Sequence, residues 1–86
     1  MKNTQAKTRP VDNPYEIWVG KLNFMGEWLD VEWRVLKKWQ YDDNKLGARW
    51  LCAVKSQATF GSWEYGDTYV SDIKANGVKV YDERDK

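Results

Sequence analysis

The amino-acid sequence predicts a small all-β domain, and three observations favour that class. Several segments alternate apolar and polar residues with the period of two that is typical of a half-buried strand. Turn-forming residues separate these segments at regular intervals, and there is almost no helical periodicity. The 86 residues suffice for one core, to which six Trp, five Tyr and two Phe bring the largest apolar areas.

The first predicted strand is the segment YEIWV, residues 15–19. Alternation would place Tyr15, Ile17 and Val19 on one face, and Glu16 and Trp18 on the other. Residues 1–12 are polar and basic and lack periodicity, so we expect a flexible arm there. Residues 21–25 (KLNFM) follow a glycine and precede another, which is typical of a connection between elements.

The next two segments, residues 31–41 and 48–56, predict a long β-hairpin around the turn-forming sequence DDNKLG at 42–47. Two registers are open. Pairing Trp39 with Trp50 would set Arg34 opposite Lys55, whereas a slide of two residues pairs Glu32 with Lys55 and Leu36 with Leu51. The second avoids one like-charge pair but places Lys38 beside Arg49, and we favour it slightly.

The C-terminal third predicts further short elements. Residues 57–62 indicate a loop, residues 63–65 (WEY) a short strand, Gly66-Asp67 a turn and residues 68–73 (TYVSDI) another strand. The Asn76-Gly77 pair is typical of a hairpin turn and leads into residues 78–81. The domain is therefore expected to span residues 13–82, with a charged tail at 83–86.

Five to six short strands predict a small antiparallel β-barrel or strongly twisted sheet, with an SH3-like barrel as first choice by analogy of pattern. A two-layer sandwich, or a sheet with one short helix packed on it, remains open. The expected core consists of the inward-facing apolar residues Ile17, Val19, Trp33, Val35, Trp39, Trp50, Cys52, Val54, Tyr69 and Ile73.

The composition argues against an enzyme, a metal site and a cofactor. The chain has no histidine and one cysteine, so it lacks the residues of His-dependent nucleophile systems and of cysteine–histidine zinc sites. The adjacent Asp42 and Asp43 are expected to be solvated, and Cys52 to be a buried packing residue rather than a reactive thiol. No segment resembles a membrane span or a signal peptide, and a single cysteine suits the cytoplasm.

Protein recognition is the first functional hypothesis. Trp18 and Trp28 fall outside the predicted inward face, and exposed Trp is a frequent anchor of protein interfaces. The alternative is that both indoles close the open end of the core. A third class, a structural role through oligomer formation at an exposed sheet edge, has no residue that favours it over recognition, and the oligomeric state is not predicted.

Nucleic-acid binding is the second hypothesis. Four cations are expected on the outer face of the hairpin, namely Arg34, Lys38, Arg49 and Lys55. This face is also the alternative to Trp18 and Trp28 as the surface for protein recognition. The arm adds Lys2, Lys7 and Arg9, and phosphate contacts need such a basic surface. Against it, Trp33, Trp39 and Trp50 alternate inward, so the basic face would lack aromatic rings on which bases stack. The net charge of +1 also argues against a polyanion as the main partner.

Four aromatic segments carry a resemblance: NPYEIW (13–18), WRVLKKWQ (33–40), ARWLCAVKS (48–56) and GSWEYGDTYVSDIK (61–74). In these the chain resembles small bacteriophage proteins of unknown function from phages of actinobacteria, including mycobacteriophages. The resemblance implies a protein that works in the cytoplasm of the infected bacterium by binding a host protein. It carries no catalytic or binding residues over to this chain.

Overall fold

The computed structural model describes residues 7–38 and 46–85. Five antiparallel strands form one sheet in the order β4-β3-β2-β1-β5, with one short helix before the last strand. The elements are β1 (Glu16–Phe24), β2 (Glu27–Lys38), β3 (Arg49–Ser56), β4 (Glu64–Tyr69), α1 (Val70–Asn76) and β5 (Gly77–Asp82), with 3-10 turns at Gln57–Thr59 and Glu83–Asp85. The all-β prediction is confirmed. The sheet is not closed into a barrel. Of the predicted alternatives, an open sheet with one short helix therefore describes the architecture.

The sheet has an inner face that holds the core and an outer face on which Val19, Tyr65 and Tyr69 are exposed. Helix α1 contributes Val70 and Ile73 to the core. The buried cluster is Val31, Trp33, Val35, Ala48, Trp50, Cys52, Val70 and Ile73, with Trp18, Leu22 and Val54 partly buried against it. Every strand residue in this set alternates with a neighbour that points to the outer face.

Much of the predicted core is confirmed: Trp33, Val35, Trp50, Cys52 and Ile73 are buried, and Val54 is partly buried. The prediction is wrong for Val19 and Tyr69, which are 39% and 51% exposed on the outer face. Ile17 is half-buried on that same face. Trp39, Asp42 and Asp43 lie outside the described residues.

The side chains of β1 point to the opposite faces of the sheet from those predicted. Glu16 and Trp18 lie on the inner face, and Ile17 and Val19 lie on the outer face. A carboxylate reaches the inner face here because Lys38 and Arg84, from other parts of the chain, pair with it there. The strand also runs on through residues 21–24, so the predicted connection is wrong there.

The favoured hairpin register is confirmed for the first part of β2, where Glu32 lies opposite Lys55. A bulge then follows: Val35 lies opposite Cys52, but Lys37 lies opposite Leu51, which leaves Leu36 as the extra residue. Leu36 is buried, and its predicted pairing with Leu51 is wrong. After the bulge Lys38 lies opposite Trp50, so it does not meet Arg49 across the pair.

Residues 63–77 depart most from the prediction. Gly66 and Asp67 lie inside β4 rather than in a turn, and residues 70–76 form α1 rather than the end of a strand. Val70 and Ile73 are three residues apart, which places both on the helix face that meets the core. The Asn76-Gly77 pair therefore ends a helix, and the Gly77 N–H donates to the Ile73 carbonyl.

The two ends of the described chain meet beside β1. Arg9 donates its backbone N–H to the Leu36 carbonyl at 2.9 Å, and its guanidinium is paired with Glu83. The Glu83 N–H in turn donates to the Tyr15 carbonyl. Residues of the expected arm and tail thus contact the sheet. No helix in the described ranges is long and apolar enough to cross a bilayer.

Candidate functional site

The β1–β2 hairpin extends beyond its neighbours in the sheet. β1 and β2 pair as far as Phe24 opposite Glu27. β5 pairs with β1 only as far as Gly20, and β3 pairs with β2 only as far as Val31. Residues 21–30 therefore form a two-stranded projection, which we call the projecting hairpin. Such a ribbon has no third strand beside it, and within it Leu22 packs partly against the core.

The end of the projecting hairpin is a tight turn. Met25 and Gly26 both have positive φ, 54° and 89°, as a two-residue turn between right-twisted strands requires. The Asn23 side-chain oxygen accepts the Gly26 N–H at 3.2 Å and stabilises the turn. Sequence reasoning missed it because Met is an unusual residue for this conformation.

The projecting hairpin exposes three large apolar side chains: Phe24 is 52% exposed, Met25 93% and Trp28 62%. Trp28 lies opposite Asn23 on the outer face, whereas Phe24 lies opposite Glu27 on the inner face, and Met25 occupies the turn. The apolar surface therefore surrounds the tip. Trp18 is not part of it, because its indole packs against the core, with ring centroids 6.1 Å from Trp50.

A second surface lies on the outer face of β2, β3 and β4. Alternation from the buried Cys52 places Arg49 and Lys55 on this face, and the pairing of β3 with its neighbours adds residues from both sides. We call the set the aromatic–basic face: Arg34, Arg49, Lys55, Trp63, Tyr65 and Tyr69. It contains three of the four cations that the sequence placed on the outer face of the hairpin.

Cations and rings contact each other across this face. The Arg34 guanidinium lies 4.9 Å and the Lys55 ammonium 4.8 Å from the centre of the Trp63 ring. Arg34 also pairs with Glu32 at 2.7 Å, and it donates to the Val11 carbonyl at 2.9 Å. Arg49 lies 5.9 Å from the centre of the Tyr69 ring. Such cation–π contacts stabilise the rings and hold positive charge beside them.

Lys38 does not belong to that face, because the bulge at Leu36 turns it to the inner side. Its ammonium lies 2.6 Å from the Glu16 carboxylate and 4.5 Å from the centre of the Trp50 ring. The expectation that Lys38 is a solvated outer residue is therefore wrong. Lys37, one residue earlier, lies on the outer side opposite Leu51.

The aromatic residues of β4 are the site residues that sequence reasoning missed. A signal was present in the sequence. Trp63, Tyr65 and Tyr69 are separated by even numbers of residues, and the polar Glu64 and small Gly66 lie at the positions between. Alternation along a strand would therefore place the three rings on the same face. The Gly66-Asp67 pair obscured this signal, because that dipeptide usually marks a turn.

Two buried carboxylates, Glu16 and Asp82, lie opposite each other on β1 and β5. Glu16 accepts from the Trp18 indole at 2.9 Å and from Lys38, and Arg84 lies 3.4 Å away. Asp82 accepts from Arg84 and from Lys79, at 2.8 Å and 2.7 Å. A cavity of about 260 Å³ adjoins this cluster, lined by Tyr15, Glu16, Lys38, Asp82, Glu83 and Arg84.

The hydrogen bonds from Arg84, then those from Lys79, hold the pKa of Asp82 well below its usual range. A cluster whose carboxylates are already bound by cations is a structural ion network. Within the described ranges no group of three or more metal-ligating side chains converges. Burial raises the pKa of the Cys52 thiol to about 12, which keeps it protonated at neutral pH.

The Asp82 network predicts a dependence of stability on pH. Because its pKa is lower in the folded chain than in the unfolded chain, at about 3.9, the stabilisation is complete above about pH 5 and is lost as the pH falls below about 4. We expect Asp82→Asn to lower the free energy of unfolding at pH 7 by about 1–3 kcal/mol, since a buried network loses its charge. Urea unfolding from pH 7 down to pH 3 measures both effects.

The matched control for that prediction is Asp30→Asn, because Asp30 forms an exposed pair with Lys21 at 3.3 Å. Exposed pairs contribute about 0–1 kcal/mol, so this variant should follow the wild type over the whole pH range. If Asp82→Asn loses stability below pH 4 as steeply as the wild type, the acid dependence comes from another group.

Comparison of the chain with protein-family models, with curated proteins and with solved structures finds no match. The resemblance to actinobacteriophage proteins therefore stays a prediction.

Proposed function

We propose that this protein is a non-catalytic binding protein, and that it recognises another protein by inserting the tip of the projecting hairpin into a pocket on that partner. The observation that carries this proposal is the exposure of Phe24, Met25 and Trp28 on a ribbon without flanking strands. Single exposed apolar residues are ordinary on a protein surface. Three within five positions expose apolar surface on both faces and at the turn of the projection, which water solvates poorly.

The chemistry of the tip favours a protein partner. Trp, Phe and Met are enriched in the buried centres of protein interfaces, where a few such residues contribute most of the binding energy. The ion pair of Lys21 with Asp30 lies at the base of the ribbon and suits a polar rim around an apolar centre. A convex apolar tip fits a concave apolar pocket, so the partner is expected to offer a groove rather than a flat surface.

The resemblance to actinobacteriophage proteins adds the context of the proposal. Such a protein would act in the cytoplasm of the infected bacterium, and its partner would be a host protein. The binding surface proposed from the sequence, around Trp18 and Trp28, is here moved to Phe24, Met25 and Trp28, because Trp18 packs against the core.

The test compares variants as bait for proteins from an actinobacterial lysate, with quantitative mass spectrometry as the readout. We expect at least one protein to be enriched by the wild type and lost with Trp28→Ala and with Met25→Ala, since loss of a central anchor weakens binding by about 30-fold. The matched control is Leu46→Ala, which removes a fully exposed apolar side chain outside the projecting hairpin.

The enriched protein should then bind the purified wild type in isothermal titration calorimetry with the same order among variants. If every protein that the wild type enriches is retained by Trp28→Ala and Met25→Ala, the tip is not the binding surface. If nothing is enriched by the wild type over an unrelated bait, the proposal fails as well.

A further inference from the structure

The aromatic–basic face is separate from the projecting hairpin, and recognition by the tip leaves it without a role. Tyr65 and Tyr69 are 61% and 51% exposed, although tyrosine rings in a small domain add most to stability when they are buried. Both lie on β4, which is an edge strand, so no further strand of the sheet crowds them. These two rings are therefore accessible to a ligand.

The spacing of the rings follows from strand geometry. Residues two apart on a strand are about 6.6 Å apart, so Tyr65 and Tyr69 lie about 13 Å apart on one side of β4, and Trp63 directly precedes the strand. Cations contact the rings at both ends of this series: Arg34 and Lys55 lie over Trp63, and Arg49 lies over Tyr69. Between them Tyr65 lies opposite Ala53 and is 61% exposed.

The charge of this surface is positive while the whole chain is nearly neutral. From residue 32 onwards, the outer positions of the described parts of β2, β3 and β4 hold four cations, Arg34, Lys37, Arg49 and Lys55, and two carboxylates, Glu32 and Asp67. The net charge of the chain is +1. A sheet surface that combines a row of rings with flanking cations complements a chain of phosphates that carries flat bases.

We propose that the aromatic–basic face binds single-stranded nucleic acid, with bases stacked on Tyr65 and Tyr69 and phosphates held by Arg49 and Lys55. The sequence argues against nucleic acid because Trp33, Trp39 and Trp50 are expected to alternate inward, away from the cations. The rings of β4 remove that objection, because they share the face with the cations. A duplex could not stack on these rings, because its bases are already stacked on each other and only unpaired bases expose their flat sides.

The test measures fluorescence anisotropy of labelled oligonucleotides of about 16 nucleotides, as single-stranded RNA, single-stranded DNA and a duplex of the same sequence. We expect the wild type to bind a single strand more tightly than the duplex, and its affinity to fall between about 50 and 200 mM salt. Tyr65→Ala and Tyr69→Ala should each weaken binding by about 5- to 100-fold. Tyr65→Phe keeps the ring and should bind as the wild type does.

Arg49→Gln and Lys55→Gln should each lower the slope of log affinity against log salt by about one, because each removes one phosphate contact. Trp28→Ala, which removes a similarly exposed ring from the projecting hairpin, should bind the oligonucleotide unchanged. That control also separates this proposal from tip-mediated protein recognition, since either site can fail while the other is retained.

Three results would overturn the proposal. One is the absence of binding to both single strands at about 50 mM salt, where phosphate contacts are strong. Another is binding that Tyr65→Ala and Tyr69→Ala leave intact. The third is that these two variants lose a host protein in the lysate experiment and show no change with oligonucleotides, which would assign the face to a protein partner.

Discussion

Replacing Gly20 by alanine should destabilise the protein by about 3 kcal/mol or more, at the upper end of what overpacking costs. A Cβ atom on Gly20 would lie 2.7 Å from the Gly77 Cα atom and 2.8 Å from the Asn76 carbonyl carbon, with the Asn76 oxygen closer still. All of these are backbone atoms, so no side chain can turn aside. The end of α1 would have to move away from β1.

That movement would disturb the core, because Gly77 lies just as close to its own neighbours. A Cβ atom there would lie 2.8 Å from the Trp33 ring, which shows how closely the chain after α1 approaches the buried indole. Shifting α1 outward therefore withdraws Ile73 and Val70 from the core as well. We expect a lower urea midpoint with the dependence on urea unchanged, measured by far-ultraviolet circular dichroism.

Gly66→Ala is the matched control, since Gly66 also lies within a strand and a Cβ atom there would meet nothing within 4 Å. We expect this change to be neutral or slightly stabilising, because alanine restricts the unfolded chain more than glycine does. Equal effects of the two substitutions would mean that α1 does not rest on β1 at Gly20.

Alternation predicts side-chain orientation well where a strand is regular and one face is buried. Trp33 and Val35 on β2, and Trp50 and Cys52 on β3, are buried as their period of two indicates. The same reasoning selected the register, because pairing Glu32 with Lys55 removes a repulsion that the alternative contains. Local pattern and cross-strand charge thus suffice for the centre of the sheet.

Prediction fails where one extra residue enters the strand. The apolar Leu36 and charged Lys37 interrupt the alternation, and the structure shows a bulge at that point. A bulge reverses the face of every residue after it, so Lys38 lies on the inner side with Glu16. The interruption was visible in the sequence, but its meaning depends on the pairing partner.

Long-range compensation is the second source of error. A glutamate in a strand predicts an outward position, because burying an unpaired charge is costly. Glu16 nevertheless points inward, since Lys38 and Arg84 meet it there from distant parts of the chain. For α1 the seven residues are too few for a helical period to distinguish them from a strand, and contact with the core decides.

The candidate sites also differ in whether a local pattern or long-range pairing determines them. The exposure of Trp28 lay within the alternatives that the sequence left open, whereas the rings of β4 joined the basic face only once β4 paired with β3. Residues that become neighbours through sheet pairing have no spacing in the sequence that marks them. Surfaces assembled across three strands are therefore what sequence reasoning predicts least well.

Trp50→Ala should lower the free energy of unfolding by about 3–5 kcal/mol, because a fully buried indole leaves a large cavity when it is removed. Trp50 is 1% exposed and lies on β3, between Lys38 on β2 and Thr68 on β4. A domain of this length has a total stability of about 4–13 kcal/mol. The variant should therefore melt at least roughly 12 °C below the wild type.

The expected loss exceeds that of an ordinary core residue, because Trp50 connects the core to the ion network. Its ring packs against Trp18 at 6.1 Å, and the Lys38 ammonium that binds Glu16 lies over it at 4.5 Å. Removing the ring exposes this ion pair to water and leaves Trp18 without its neighbour. Trp28→Ala, the same substitution at a site that is 62% exposed, should cost less than about 1 kcal/mol in the same urea experiment. Similar losses from the two variants would contradict the assignment of an inner and an outer face, on which both proposed binding surfaces depend.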